Sequence, residues 1–182
     1  MSFSVSDAGL ALIRRHEGLR LSAYLCPANK LTIGYGHVLL PAWDFVLFGA
    51  MSWQTLQRIV DDCQSRRGLT EEARLRLRIT RDEAETLLSQ DVAKDSTFLN
   101  SVMQGFGLNQ HQFDALASFV FNVGHASFAR STLRRKLKAG NFAAAARQFD
   151  RWVYTTQHGK KIKLPGLVKR RREERMLFER EG

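Results

Sequence analysis

The period of the apolar positions changes several times along this chain, and each change marks an element. From Ser6 to Glu17 the spacing is helical: Gly9, Leu12, Ile13 and His16 share a face, with Leu10 and Glu17 at its edge. Ser6 is placed to cap this helix, Asp7 sits in its first turn and Gly18 stops it. The period then falls to two. Leu21, Ala23 and Leu25 point one way, Ser22, Tyr24 and Cys26 the other. Pro27-Ala28-Asn29-Lys30 reads as a turn, because Pro presets φ and Asn tolerates the left-handed region. A returning strand puts Leu31, Ile33, Tyr35 and His37 on one face. Thr32, Gly34 and Gly36 lie on the other, a hydroxyl on a bare floor.

Residues 39 to 79 carry a weaker pattern. Ser52 caps a helix with the stripe Trp53, Leu56, Val60 and Cys63, and alternation of Ala73, Leu75, Leu77 and Ile79 with arginines predicts a short strand. Thr80-Arg81-Asp82-Glu83 is a capping box opening a long helix through Ala84, Leu87 and Leu88. Asn109-Gln110-His111-Gln112 opens another, with Phe113, Leu116, Ala117, Val120 and Phe121 inward. Further helices are expected near Ser131 to Lys138, Phe142 to Val153 and Leu167 to Glu179, with Gly140-Asn141 dividing the first two. The fold class is therefore α+β, mainly helical, in one domain over residues 1–182. A small β-containing lobe is expected at about 19–79, with an insertion at 40–78. Residues 80–182 plus the N-terminal helix form the larger helical lobe. Such a layout places a cleft between lobes.

Composition narrows the class. At 182 residues, 44% hydrophobic and 25% charged, the chain reads as one ordinary globular domain. No apolar run approaches the ~20 residues that span a bilayer, and the N-terminus has no basic start or apolar core of a secretory signal. Cys26 and Cys63 allow at most one disulfide and are expected as thiols; no metal and no cofactor is expected. The net charge of +10 and pI near 10.2 suit a polyanionic partner. Its basic residues are scattered, at Arg14-Arg15, Arg66-Arg67, Arg134 to Lys136 and Lys169 to Arg172, which predicts a diffuse field.

The chemistry concentrates between Glu17 and His37. Cleaving a glycosidic bond needs a carboxylic acid that donates to the leaving oxygen, and a group opposite that places or activates water. Glu17, beside apolar neighbours, suits the first role, since desolvation raises a carboxyl pKa. Cys26 and Thr32 flank one tight turn and are candidates for holding the water. Taken singly, each has an ordinary explanation: an exposed helix-end acid, a small core cysteine, a good β-former, a packed imidazole. TIGYGH matches neither nucleotide fingerprint.

The combination is more specific. Glu17, eight residues, Cys26, five residues, Thr32 and then Ile33-Gly34-Tyr35-Gly36-His37 resembles the active-site segment of phage-type lysozymes, the endolysins and muramidases of the glycoside hydrolase class. "LTIGYGHV", "RITRDEAETLLSQDV", "NQHQFDALASFVFNVG", "STLRRKLKAGNFAAAARQFDRWV" and "LPGLVKRRREERMLF" resemble family segments in the family's order, with residues 40–78 least matched. The resemblance implies a two-lobed lysozyme-like fold. It also implies hydrolysis of the β-1,4 bond between N-acetylmuramic acid and N-acetylglucosamine in bacterial peptidoglycan. Glu17 would be the general acid, and Cys26 with Thr32 would position the water. Tyr35, His37, Asn122, Trp152, Arg170 and Arg171 match segments nearer the substrate. It further implies a monomer that binds no nucleic acid, does not insert stably in membranes, and waits in the host cytoplasm for holin-dependent release to the periplasm.

The departure is Cys26, where many members carry aspartate. A thiol with pKa near ~8.5 is a poorer base than a carboxylate at neutral pH. It either places water or attacks the anomeric carbon itself. Two other functions compete: a lytic transglycosylase, cutting the same bond without water, and a basic nucleic-acid-binding protein with a steep salt slope.

Overall fold

The computed structural model describes residues 2–157 and 159–181, and the chain divides into two compact units. One comprises the chain up to His16 together with the chain from Val92 onward; the other is Glu17–Asp91. The fold is mainly helical α+β.

The second unit begins at the last residue of α1 (Asp7–Glu17) and carries β1 (Arg20–Leu25), β2 (Leu31–Gly34) and β3 (His37–Val38) as an antiparallel sheet in the order β1-β2-β3. The predicted turn forms as read. Asn29 adopts φ 58°, its N–H donates to the Cys26 carbonyl (2.8 Å), and the Cys26 N–H donates to the Lys30 carbonyl (2.9 Å). The returning strand does not run to His37, however. Gly34 (φ 66°) and Gly36 (φ 95°) turn the chain back, so that His37 pairs with Ile33 and Val38 with Thr32. Both glycines sit where an L side chain is strained, which breaks the expected alternation at Gly34 and adds a third strand.

After β3 come α2 (Pro41–Asp44), a 3₁₀ turn (Phe45–Phe48), α3 (Trp53–Arg66) and α4 (Glu71–Arg76). Ser52 caps α3, accepting from the Thr55 N–H, and Leu56, Ile59, Val60 and Cys63 are buried. Trp53, expected in that stripe, is 49% exposed. The expected strand at 73–79 is a correction: Glu71–Arg76 is helical, capped by Thr70, and only Arg78 bridges to Ser22. The Leu-Arg alternation misled because Leu75 is 71% exposed, so its period does not report a buried face. A local N-cap won over the alternation.

α5 (Arg81–Met103) opens on the predicted capping box. The Thr80 N–H donates to Glu83 Oε2 (2.7 Å) and the Glu83 N–H to Thr80 Oγ1 (3.2 Å). In the first unit follow α6 (Gln110–Val123), with the reciprocal Asn109–Gln112 box, α7 (His125–Ala129), α8 (Thr132–Lys138) and α9 (Phe142–Ala146). The helix predicted through Val153 thus stops at Ala146 and gives way to a 3₁₀ turn (Phe149–Arg151). A hairpin that the pattern did not announce, β4 (Tyr154–Gln157) and β5 (Lys160–Lys163), precedes α10 (Pro165–Phe178). The core of this unit gathers Leu12, Leu116, Phe113, Phe119, Phe128, Phe149 and Phe178. Ser6 starts α1 with its carbonyl, which accepts from the Leu10 N–H, and its hydroxyl donates to the buried Asp114 carboxylate. Gly9 matters here: a Cβ would come within 2.9 Å of Asp114, so only glycine lets α1 approach α6 this closely.

The charge is not spread evenly. Of the chain's 28 Lys+Arg and 18 Asp+Glu, 19 and 8 lie in the first unit and 9 and 10 in the second. The expected diffuse field is therefore corrected to one concentrated on the first unit.

His37 holds the sheet unit together. Its Nδ1 lies 2.7 Å from Asp91 and its Nε2 3.0 Å from Asp44, and it is 7% exposed. Burial pushes the imidazole pKa down, but the bonds to Asp44 and Asp91 and their charges outweigh burial and raise it to about 9. Because the folded value lies above the unfolded one of about 6.5, the stabilisation is complete below about pH 6.5 and vanishes as pH rises through 9. It is worth about 3 kcal/mol. Urea midpoints should fall between pH 6.5 and 9 for the wild type. In His37→Gln they should start lower and change little over that range.

Candidate active site

The hairpin brings the first three sequence-predicted residues into one unit. Glu17 ends α1, and its Oε2 stands 3.6 Å from where a Cβ on Gly36 would be. Of the floor read from the sequence, Gly36 lies against the acid, while Gly34 faces Ala84 and Ile79. On the hairpin, Tyr24 pairs with Thr32, so these two side chains share a face, and Cys26 follows two residues after Tyr24.

Cys26 has a specific electrostatic setting. Partial burial pushes its thiol up, but the backbone N–H groups of Lys30 and Ala28, the Thr32 hydroxyl and the Lys30 charge all favour the thiolate. The net shift is downward, because a turn that aims amides at sulfur acts as a small anion nest. Thr32 is itself buried, at 2% exposure, with its hydroxyl oxygen 3.0 Å from the Lys30 carbonyl. It serves Cys26 and the turn from beneath. Cys63 is fully buried on α3 near the Thr70 N–H and hydroxyl and takes no part in this site.

Tyr24 is a site residue that the sequence reading missed. Burial raises its phenol pKa, the Arg20 charge lowers it, and the charges of both Glu17 and Cys26 raise it again. The Arg20 guanidinium lies over the ring, 4.4 Å from its centroid. Tyr24 therefore feels both chemically interesting groups at once. The signal was available: it stands seven residues after Glu17 and two before Cys26, on the strand face already assigned to Cys26.

The other expected substrate contacts fall differently. Tyr35 is 6% exposed and donates through its hydroxyl to Glu85 Oε1 (2.7 Å). His37 has both nitrogens on carboxylates. Neither presents a free polar edge to a sugar, so both are corrected to braces of the β2–β3 turn. Asn122, Trp152, Arg170 and Arg171 belong to the first unit. Arg170 and Arg171 are buried around the fully buried Glu174, at 3.0 Å from its Oε1 and Oε2 respectively. Ser118 donates to Glu174 Oε1 (2.8 Å), Arg171 stacks on Phe119 at 4.7 Å, and Arg171 donates to Asn122 Oδ1 (2.9 Å). Burial raises the Glu174 pKa against the pull of the two arginines. The expectation that Arg170 and Arg171 touch substrate is thus corrected: they are packing ions. Trp152 is half-buried, edge-on to Phe119 at 5.2 Å, and Asn122 alone of the four is exposed.

Comparison with known proteins finds relatives across nearly the whole chain. The chain is 37% identical over 175 residues to the endolysin of Acyrthosiphon pisum secondary endosymbiont phage 1, covering 96% of this chain and 97% of that one. A shorter stretch of 75 residues is 41% identical to the SAR-endolysin of Escherichia phage Mu, covering 41% of this chain and 42% of that one. Among solved structures, the muramidase domain of SpmX from Asticaccaulis excentricus superposes with a TM-score of 0.74 at 30% identity, covering 98% of this chain and 99% of that one. The fold is accordingly lysozyme-like, and the class is a lysozyme-type glycosidase. The phage lysozyme family model matches residues 14–174, and the chain belongs to that family.

Two measurements check the reassignments. A maleimide should label Cys26 in the folded protein, with a rate that levels off at lower pH than for a free cysteine, and leave Cys63 untouched until unfolding. Glu174→Gln should cost about 3–5 kcal/mol of stability in urea titrations, because it leaves two buried guanidinium charges without their anion.

Proposed function

We propose that the protein hydrolyses the β-1,4 bond between N-acetylmuramic acid and N-acetylglucosamine in peptidoglycan, and so lyses the bacterial host at the end of phage infection. The observation that carries this is the meeting, in one unit of a phage lysozyme fold, of the Glu17 carboxylate over Gly36 with a thiolate-favouring turn at Cys26. Glu17 donates its proton to the glycosidic oxygen as the bond to the anomeric carbon breaks. Cys26, held more largely as thiolate by its lowered pKa, takes the proton of the incoming water as the water oxygen bonds to the anomeric carbon, and Thr32 braces the turn that carries the sulfur. The bare Gly36 backbone leaves room for the sugar. Tyr24, between the two charges, helps hold their orientation. Inversion at the anomeric carbon follows, since water enters opposite the leaving oxygen.

A second reading draws on the same lowered thiol pKa: Cys26 attacks the anomeric carbon and a glycosyl-thioether intermediate is then hydrolysed, giving retention. The anomer first released, read by NMR on a soluble glycan, separates the two. Inversion is expected, with Cys26→Asp active. Retention together with an inactive Cys26→Asp overturns water placement.

Glu17→Gln preserves shape but has no proton to give. Its rate on purified peptidoglycan should fall by ~10²–10⁴-fold with circular dichroism unchanged; a residual rate above about a tenth of wild type excludes the acid role. The enzyme is proposed to act as a monomer and to wait in the host cytoplasm for a holin. Among the described residues no helix is long and apolar enough to cross a membrane. Expression without a holin should leave cells intact until chloroform admits the enzyme to the wall.

A further inference from the structure

The stretch from Val38 to Gln57 contains one charged residue, Asp44, in a chain a quarter of whose residues are charged. That residue is buried. Leu40, Trp43 and Val46 recur every third position through α2 and the 3₁₀ turn, and are 48%, 76% and 65% exposed. Trp53 at the start of α3 adds a second exposed indole. Tryptophan is highly buried on average, so an indole with three quarters of its surface in water, beside two bare aliphatics, is a face without its partner. None of these residues serves the site described above.

The face is also built to be held out. The Leu40 N–H donates to Asp44 Oδ2 (2.6 Å), and the N–H groups of Trp43 and Asp44 donate to the Leu40 carbonyl (both 2.9 Å). The same Asp44 oxygen lies 3.0 Å from His37 Nε2. The start of the segment therefore keeps its backbone groups paired internally, and its base is clamped by a buried ion pair. Leaving water exposes few unpaired amides, and little conformational freedom remains to be lost on docking.

We propose that residues 40–53 dock this protein on the surface of an anionic phospholipid bilayer. Trp43 and Trp53 lie at headgroup level, and Leu40 and Val46 reach the acyl boundary. Indoles favour that interface, where one end of the ring is apolar and the other wet. The chain's excess positive charge, which lies in the first unit, supplies long-range attraction of the molecule to anionic headgroups, while the docking segment itself adds no exposed charge that would have to be desolvated. A sugar platform would surround its indoles with hydrogen-bonding side chains; from Leu40 to Met51 the only polar side chains are the buried Asp44 and the indole N–H itself. The protein lies on the bilayer without crossing it. This proposal is independent of the muramidase chemistry.

The test uses the full chain with vesicles of phosphatidylethanolamine and phosphatidylglycerol, against vesicles of phosphatidylcholine alone. Wild type is expected to cosediment with the anionic vesicles and to show a blue-shifted tryptophan emission there. The double variant Trp43→Ser/Val46→Ser should partition at least ~10-fold more weakly, with circular dichroism and hydrolysis of soluble peptidoglycan fragments unchanged. Glu17→Gln should bind vesicles as wild type does, which separates this result from failure of the catalytic reading. Equal partitioning of wild type and double variant overturns the proposal. So does a wild-type dimer in sedimentation equilibrium that the double variant lacks, which would make the face a contact between copies. Retention of wild type on isolated wall polymer but not on vesicles, lost in the double variant, overturns it equally.

Discussion

One buried imidazolium organises the sheet-bearing unit. His37 sits in the core with its pKa raised to about 9, because each ring nitrogen faces a carboxylate, Asp91 on α5 and Asp44 on α2. Three elements are thereby fastened at one point: β3, the short helix after it and the middle of the long helix. The turn between β2 and β3 inherits that rigidity, and Tyr35 reinforces it through Glu85. Gly36 is consequently held against the Glu17 carboxylate with no side chain in the way. The same clamp props up the segment bearing Trp43. A buried charge is seldom the cheapest way to stabilise a core. Here it fixes a geometry that an apolar side chain could not specify, since packing alone does not choose among neighbouring registers of a two-residue strand.

The other unit solves a different problem with related physics. Glu174 is fully buried, and a lone carboxylate there would be costly. Arg170 and Arg171 neutralise it, Ser118 satisfies a lone pair and Phe119 receives the flat guanidinium of Arg171. A run of four basic residues on α10 is thus split by burial. Lys169 and Arg172 are exposed, and the two between them are interior. Charge counted along a sequence overstates what a partner can feel. It also conceals where the charge sits, because the unit with the catalytic candidates is close to neutral and the other holds the excess.

Legibility followed locality. The two capping boxes and the Pro-Ala-Asn-Lys turn were readable because a few adjacent residues determine them. The positions proposed for catalysis, Glu17, Cys26 and Thr32, are local in the same sense, spanning one helix end and one hairpin. Features set by tertiary contacts were not readable. The Leu75 and Leu77 alternation imitates a strand, yet one leucine is buried and the other faces water on a capped helical turn. The strand through His37 was read as continuous because alternation carries no information about backbone sign at Gly34 and Gly36. The β4–β5 hairpin escaped because its residues are largely exposed and so leave no apolar period. Tyr35, His37, Arg170 and Arg171 were placed near the substrate because polar side chains in family-like motifs invite that reading. Their partners, Glu85, Asp91, Asp44 and Glu174, lie from three to over fifty positions away and can be recognised only once folded.

Replacing a carboxylate by a thiol at position 26 is the chemical question the fold leaves most sharply posed. An ordinary cysteine is mostly neutral at physiological pH and would hold water weakly. The turn from Cys26 to Lys30 changes this without any added acidic residue. The amides of Lys30 and Ala28 favour the charged sulfur, and the Lys30 charge adds to them, so part of the negative charge an aspartate would supply permanently is induced by the turn. The compensation has a consequence for Tyr24. Burial raises the Tyr24 phenol pKa, the Arg20 charge opposes it, and the charges of Glu17 and Cys26 raise it further. The substitution is therefore read best as a change distributed over four residues, Tyr24, Cys26, Lys30 and Thr32, in which the turn takes over electrostatic work that one side chain does elsewhere.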